Sequence, residues 1–406
     1  MSEPSSGANS GGHFAGEVFA VFLKLGLTSF GGPIAHLGYF RNELVLRRHW
    51  IDEAGYADTV ALCQFLPGPA SSQVGFALGL KRGGGLSGGL AAWLGFTLPS
   101  ALILFGFALA SSTFNGPLAD GFLHGLKLVA VAVVAQAIWG MTRTLTPDLA
   151  RAGIALVAAA WVLFLEGWHG QIVAIVGGAL LGLALCREGN GIAHVQLHYP
   201  ISRRAGSVAL ALFAALLLLA PFAATTTHDS RLALFDAFYR SGALVFGGGH
   251  VILPLLQTQV VVPGWVTNAD FLNGYGLAQA VPGPLSVFAA YLGAIAQPAP
   301  NPLAGAVLAL LGIFLPSMLL VYGTLPFWDA LRQRPLAQAA MRGSNAAVVG
   351  ILAVAFYNPV CASAIVHWSD VMLALVGLVL LARWKVPSWT VVILLAAAGT
   401  GLALVR

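Results

Sequence analysis

Polar positions are so sparse along this chain that its apolar runs stand out by eye. Runs read as membrane spans, which need about 20 residues each, cover Leu86–Ala110, Gly121–Met141, Ile172–Cys186, Ser207–Ala224, Leu303–Leu325, Leu336–Tyr357, Val366–Leu381 and Ser388–Val405. A shorter run, Gly153–Leu165, is bounded by polar ends and completes nine predicted spans. Two further apolar regions, Phe14–Leu46 and Ala57–Leu80, are interrupted by Gly and Pro. They predict helical hairpins that enter and leave the membrane by one face.

The pattern occurs twice. Lys24-Leu-Gly-Leu-Thr-Ser-Phe-Gly-Gly32 is echoed by Arg240-Ser-Gly-Ala-Leu-Val-Phe-Gly-Gly248, and Gln64-Phe-Leu-Pro-Gly-Pro69 by Gln279-Ala-Val-Pro-Gly-Pro284. Leu98-Pro-Ser100 matches Leu315-Pro-Ser317, and the spacing between the copies stays nearly constant across all three motifs. The chain is read as a duplication, each half two hairpins followed by four spans, with one linking helix between them. Helix-breaking Gly and Pro at corresponding places in two halves of an apolar chain point to a transport site.

Composition agrees with the pattern. Only 9% of residues are charged, against about 25% in soluble domains; 58% are hydrophobic, and the mean hydropathy is +0.83. The fold class expected is an all-α polytopic membrane protein. Residues 1–13 are polar without a basic stretch and are read as a disordered cytoplasmic tail, not a signal peptide. Cys63, Cys186 and Cys361 are too scattered for a disulfide framework or a zinc site. His194 and His198 share a helical spacing near Glu188, but a solvated loop there is not expected to bind metal.

Charge fixes the expected topology. With hairpins rather than single crossings, Arg41, Arg47, Arg48, Lys81, Arg82 and the other loop cations, 15 in all, fall inside, leaving Arg231 and Arg406 outside. That is the positive-inside bias. Lys24, Lys127 and Arg240 lie within apolar segments, and Lys127 aligns with Asn345. The linking span makes the second half inverted: 14–190 is the first repeat, 191–230 the linker with one transmembrane helix, and 231–406 the inverted second repeat. Trp50, Trp168, Trp265, Trp328, Trp368, Trp384 and Trp389 sit at segment ends, where aromatic belts form.

The hairpin tips carry the candidate chemistry. Breaks are expected at Phe30-Gly31-Gly32-Pro33, Pro67-Gly68-Pro69, Phe246-Gly247-Gly248-Gly249 and Pro282-Gly283-Pro284. Backbone of this kind survives at membrane depth only when buried in protein or lining a wet cavity. A helix restarting after a break presents N–H groups and a positive dipole end that suit an anion. Ser71, Ser72 and Gln73 follow the first Pro-Gly-Pro and Ser286 the second; Gln64 and Gln279 precede them. Lys24 and Arg240, six residues before their Phe-Gly-Gly, supply positive charge to an anionic substrate, or instead pair with Glu17 and Asp236 or snorkel. Glu43, His36 and His250 are candidate proton carriers, with a structural role as the alternative.

Phe30-Gly-Gly-Pro-Ile-Ala-His36, Glu43, Trp50, Gln64-Phe-Leu-Pro-Gly-Pro69 and Leu98-Pro-Ser100, with their degenerate second copy, resemble the chromate ion transporter family, long-chain two-domain type, from about Phe14 to Val405. The resemblance implies export of chromate across a bacterial inner membrane, driven by the proton motive force and giving chromate resistance, with sulfate as a related anion. No cofactor and no metal are expected, the surroundings are the lipid bilayer, and the charge bias places the N-terminus in the cytoplasm and the C-terminus in the periplasm. The second copy has Gly249 where the first has Pro33 and lacks counterparts of Glu43 and His36. Rival readings are a sulfate or related oxyanion importer or exchanger, a lipid-modifying membrane enzyme, and a channel or scaffold. A homodimer is compatible with the sequence; nucleic-acid binding has no support in it, since the basic pI of about 9.3 comes from loops facing anionic headgroups.

Overall fold

The computed structural model describes residues 10–110, 116–165, 168–187, 199–246, 249–332 and 334–405, and among these residues the regular structure is entirely helical. The first half comprises α1 (Ser10–Thr28), α2 (Gly32–Phe40) continued by a π-helical stretch (Arg41–Arg47), α3 (Glu53–Phe65), α4 (Ala70–Arg82), α5 (Leu86–Ala110), α6 (Pro117–Leu145), α7 (Leu149–Phe164) and α8 (Trp168–Leu185). Helix α9 (Arg203–Thr227) links it to α10 (Ser230–Ala243), α11 (Ile252–Leu256) with its own π-helical continuation (Gln257–Val261), α12 (Asn268–Ala280), α13 (Phe288–Ile295) and α14 (Pro302–Thr324). The short α15 (Trp328–Leu331), α16 (Pro335–Ala355), the short α17 (Ala362–Ala364), α18 (Trp368–Ala382) and α19 (Ser388–Val405) follow.

Each of the nine predicted spans coincides with a helix, and among the described residues five helices are long and apolar enough to cross a bilayer by themselves. The two predicted hairpin regions are helix–break–helix units, and the second half repeats them down to the π-helical turn. Leu126, Leu128, Val129 and Ala130 on α6 are fully buried, while Leu218, Leu219 and Phe222 on α9 and Met372 on α18 lie open. Apolar surface on this scale is tolerable only against hydrocarbon. The protein is an all-α polytopic membrane protein.

Small residues bring the helices together, as they must where lipid removes the hydrophobic drive for association. Gly26 on α1 meets the Gly95 and Phe96 carbonyls of α5; the matching Gly242 on α10 meets the Ile313 carbonyl of α14. Gly79 on α4 packs on Gly88 and Ala92, and Gly293 on α13 likewise packs on Gly305 and Ala309.

Farther along the chain, the helices cross between halves. Helices α7 and α8 pack on α16 of the second half, and α18 and α19 pack on α6 of the first. A Cβ on Gly343 of α16 would lie 2.7 Å from Gly182 Cα on α8, and one on Gly399 of α19 would lie 2.8 Å from Gly125 Cα on α6. Gly343 and Gly399 stand in the second half where Gly125 and Gly182 stand in the first, so the same contact is made twice with the halves exchanged. Neither half therefore completes its helix layer without the other.

One aromatic expectation fails. Trp328 does not join an interfacial belt; it is 3% exposed, its indole held inward by Asp58 at 3.2 Å. A buried carboxylate needs donors, and that need outweighs the interface preference of the ring.

Because the crossed contacts leave no room for a side chain, Gly125→Leu and Gly343→Leu are expected each to lower the thermal midpoint of the detergent-purified protein, at a cost of about 1–3 kcal/mol or more. Gly140→Leu, where a Cβ meets nothing within 4 Å, is expected to leave it unchanged in the same melting assay.

Candidate functional site

The breaks meet in pairs across the two halves. Gly68, in the first Pro-Gly-Pro, donates its backbone N–H to the Val245 carbonyl at 2.6 Å; Gly283, in the second, donates to the Ser29 carbonyl at 2.9 Å. Val245 is the second-half counterpart of Ser29, as Gly283 is of Gly68. The bond is thus one contact formed twice, each hairpin tip satisfying a tip of the other half. Gly68 and Gly283 have φ of 132° and 99°, a conformation that favours glycine. Added Cβ atoms would reach Ser317 Cβ at 2.6 Å and Ser100 Oγ at 2.8 Å respectively. Ser100 and Ser317 belong to the repeated Leu-Pro-Ser; their hydroxyls donate to the Thr97 and Phe314 carbonyls within α5 and α14. The repeat made them visible in the sequence, but only the fold shows them against the tips.

Most helix starts away from the tips are capped by side chains; α6 and α16, which begin after Gly116 and Arg334, are not. Away from the tips, α3, α7, α9, α10, α12 and α14 are capped by the side chains of Asp52, Asp148, Ser202, Asp229, Thr267 and Asn301. At Asp148 the Arg151 side-chain hydrogen bond holds the carboxyl below its ordinary range. At the tips, α2 starts from Gly31 in the left-handed region, α4 from Pro69 and the 3₁₀ turn Leu285–Val287 from Pro284, all without a side-chain cap. Their first-turn N–H groups remain available to a ligand. Gly247 and Gly248, at the fourth break, lie outside the described residues.

Buried hydroxyls and amides gather around these starts. Ser71 and Gln73 are buried; the His36 ring nitrogen lies 3.4 Å from the Ser71 hydroxyl, and the Gln73 amide donates to the Pro67 carbonyl at 2.8 Å. Ser29 Oγ, Ser72 Oγ, Ser286 Oγ, His36 Nε2, Gln73 Oε1, Thr97 Oγ1 and Gln279 Nε2 are buried without a protein hydrogen-bond partner. Each such group costs about 1–3 kcal/mol when it is left alone. No charged residue occurs within the four breaks themselves. Phe30 stacks obliquely on Trp389 at 6.2 Å. Gln64 and Gln279 part company: Gln64 is exposed and Gln279 buried.

The two aligned cations are both ion-paired with carboxylates. Lys24, 53% exposed, lies 3.5 Å from Glu43, and Arg240 is paired with the buried Asp236 one turn back. Glu43 also takes Arg47 at 3.0 Å and Arg48 at 2.8 Å, so one carboxylate faces three cations. Glu17, a partner considered for Lys24, instead receives Arg82 and Arg48. His250 is hydrogen-bonded to the Tyr275 hydroxyl at 2.8 Å. His194 and His198 lie outside the described residues, and among those described no three His, Cys, Asp or Glu side chains gather as metal ligands.

Sequence reasoning missed a buried lock near the first-half hairpins. Asp58 on α3 accepts from Arg332 at 2.8 Å and from the Trp328 indole, and both ionic side chains are 2% exposed. The partners are 274 residues apart, so no local signal could pair them.

The family now follows. The chromate transporter family model matches residues 16–183 and 232–402, and the chain belongs to that family. It is similar to the "Probable chromate transport protein" of Synechococcus elongatus, 31% identical over 93% of both chains. It is also similar to the chromate transport protein of Pseudomonas aeruginosa, 30% identical over 95% of this chain and 91% of that one. An uncharacterized transporter of Bacillus subtilis is 34% identical over 30% of this chain but 65% of its own length, so that protein is about half as long. No solved structure matches the chain.

Removing one partner of a buried pair strands the other's charge, at about 3–5 kcal/mol. Arg332→Met is therefore expected to destabilise the purified protein by about that amount in thermal melts, and adding Asp58→Leu to recover most of the loss. A double variant no more stable than Arg332→Met would show that the lock is not the source.

Proposed function

We propose that the protein is a secondary transporter that moves a tetrahedral oxyanion, chromate, outward across a bacterial inner membrane, and so lowers its concentration in the cytoplasm. The observation that carries this reading is the reciprocal meeting of the hairpin tips, where helix starts without caps and hydroxyls without partners converge with no carboxylate among them. The names of the relatives support chromate as the anion. In the transport cycle the halves are inverted repeats, the tips approach one another from opposite faces, and Lys24 and Arg240 guide the anion while exchanging their carboxylates for it.

The membrane potential suffices as a driving force. Moving one charge through 100 mV is worth about 2.3 kcal/mol, so a dianion leaving a negative interior gains roughly 4.6 kcal/mol, on the order of a thousandfold gradient. Outward movement therefore needs no compulsory proton. A second reading, import of sulfate or a related oxyanion, would need one, and the buried His36 beside Ser71, at the start of α4, is the residue that favours it.

Everted vesicles containing the protein are expected to accumulate radiolabelled chromate when energised, with uptake depressed by excess sulfate, and Lys24→Ala and Arg240→Ala are expected to lower the rate. Uptake confined to right-side-out vesicles would reverse the direction and favour the importer. For the topology, single cysteines near Arg47 and near Lys81 are both expected to resist an impermeant thiol reagent in intact cells; labelling of one alone would break the hairpin arrangement.

A further inference from the structure

A cavity of about 500 Å3 opens between the N-terminal ends of α6, α12 and α18 and the C-terminal end of α19. Lys127, His124 and Asn273 line it, with Asp120 and Asp270 also at its walls. Lys127 lies in the N-terminal half of α6, a helix long and apolar enough to cross a membrane. Unlike Lys24 and Arg240, it makes no ion pair and no hydrogen bond with any described residue. A cation at such a place ordinarily faces a partner or a pathway. Asn273 is 4% exposed, and its carbonyl oxygen has no hydrogen-bond partner. Amide oxygen and nitrogen exchange places on a flip, so this side chain can present N–H to an oxyanion.

The carboxylates around Lys127 do not neutralise it. Asp370, fully buried behind the wall, is met by His124 at 3.1 Å and by the backbone N–H groups of Val366 and His367 at 3.0 and 2.9 Å. Asp270 accepts from the Thr267 hydroxyl at 2.7 Å, and Asp120 is exposed in the first turn of α6. Asp120 and Asp270 line the same cavity, and their charge weakens retention of an anion, which suits a station that must release what it takes. From Asn273, α12 runs about 12 Å, eight residues at 1.5 Å each, to the break where Gly283 meets Ser29. In the other half, the position that matches Asn273 when the two Gln-x-x-Pro-Gly-Pro motifs are aligned is Asp58, and there Arg332 and Trp328 fill the space. The cavity is therefore not a by-product of the repeated helices.

We propose that this cavity is a second station for the transported tetrahedral oxyanion, with Lys127 as its charge and Asn273 as its neutral donor. The assignment rests on the transport reading above and adds to it a site that the repeated motifs do not contain.

The test is chromate uptake by proteoliposomes of the purified full chain. Lys127→Ala is expected to raise the concentration for half-maximal uptake by about tenfold or more, the scale of a hydrogen bond to a charged group, and Lys127→Arg to stay near the parent. Lys127→Cys is expected to regain uptake after an aminoethyl thiosulfonate reagent restores an ammonium, and not after a sulfonatoethyl one. An Ala variant indistinguishable from the parent overturns the proposal. If the Lys127 variants do not fold, Ala269→Cys decides, because Ala269 lines the cavity with Lys127 intact. Chromate is expected to slow its labelling by a maleimide, after subtraction of the parent's labelling, while leaving Arg231→Cys, an exposed position on α10, unaffected. Labelling of Ala269→Cys that ignores chromate overturns the station; a parent that takes up no chromate at all removes the transport reading, and the station with it.

Discussion

A backbone N–H inside hydrocarbon has no water to turn to, so a helix broken at membrane depth must find its hydrogen bonds elsewhere in the protein. This chain meets that demand by pairing each half's loose backbone with the other's: Gly68 donates to Val245, and Gly283 to Ser29. The remaining architecture serves these two bonds. Glycine is needed at both donors because φ is positive there and because Ser317 and Ser100 stand where a Cβ would go. The Pro-bearing helices α5 and α14 form the wall behind. What stays unsatisfied after the exchange is a set of hydroxyls, side-chain amide groups and first-turn N–H groups, and the N–H and O–H among them are donors of the kind an anion takes.

Holding two halves in such register needs contacts that cannot slide. The crossed packing, α8 on α16 and α19 on α6, provides them through backbone approaches at Gly182, Gly343, Gly399 and Gly125. Van der Waals contact between helix backbones is the main attraction left in lipid. Movement of the tips relative to one another would then be a movement of helices that each half packs onto the other, which ties the two sides of the molecule together mechanically.

Charges follow a different logic on the two sides. Near the first-half hairpins they are sealed into carboxylate pairs, Asp58 with Arg332 and Glu43 with Lys24, Arg47 and Arg48. Around α6, α12 and α18 a cavity remains, and Lys127 lines it without an ion pair to any described residue. The duplicated scaffold is thus filled unequally.

Much of this was legible from the residues alone. Apolar runs placed the helices because each must match a bilayer's thickness, and repeated Phe-Gly-Gly and Pro-Gly-Pro placed the breaks because Gly and Pro end helices for local steric reasons. The tertiary structure decided which break satisfies which, that Lys24 and Arg240 hold carboxylates, that Gln64 is open while Gln279 is buried, and that Trp328 turns inward to Asp58. Helix limits depend on neighbours a few residues away, which a sequence displays. Ion pairs and buried hydrogen bonds join residues up to 274 positions apart, and their choice among competing partners is settled only when desolvation in the packed state penalises every donor and acceptor left alone.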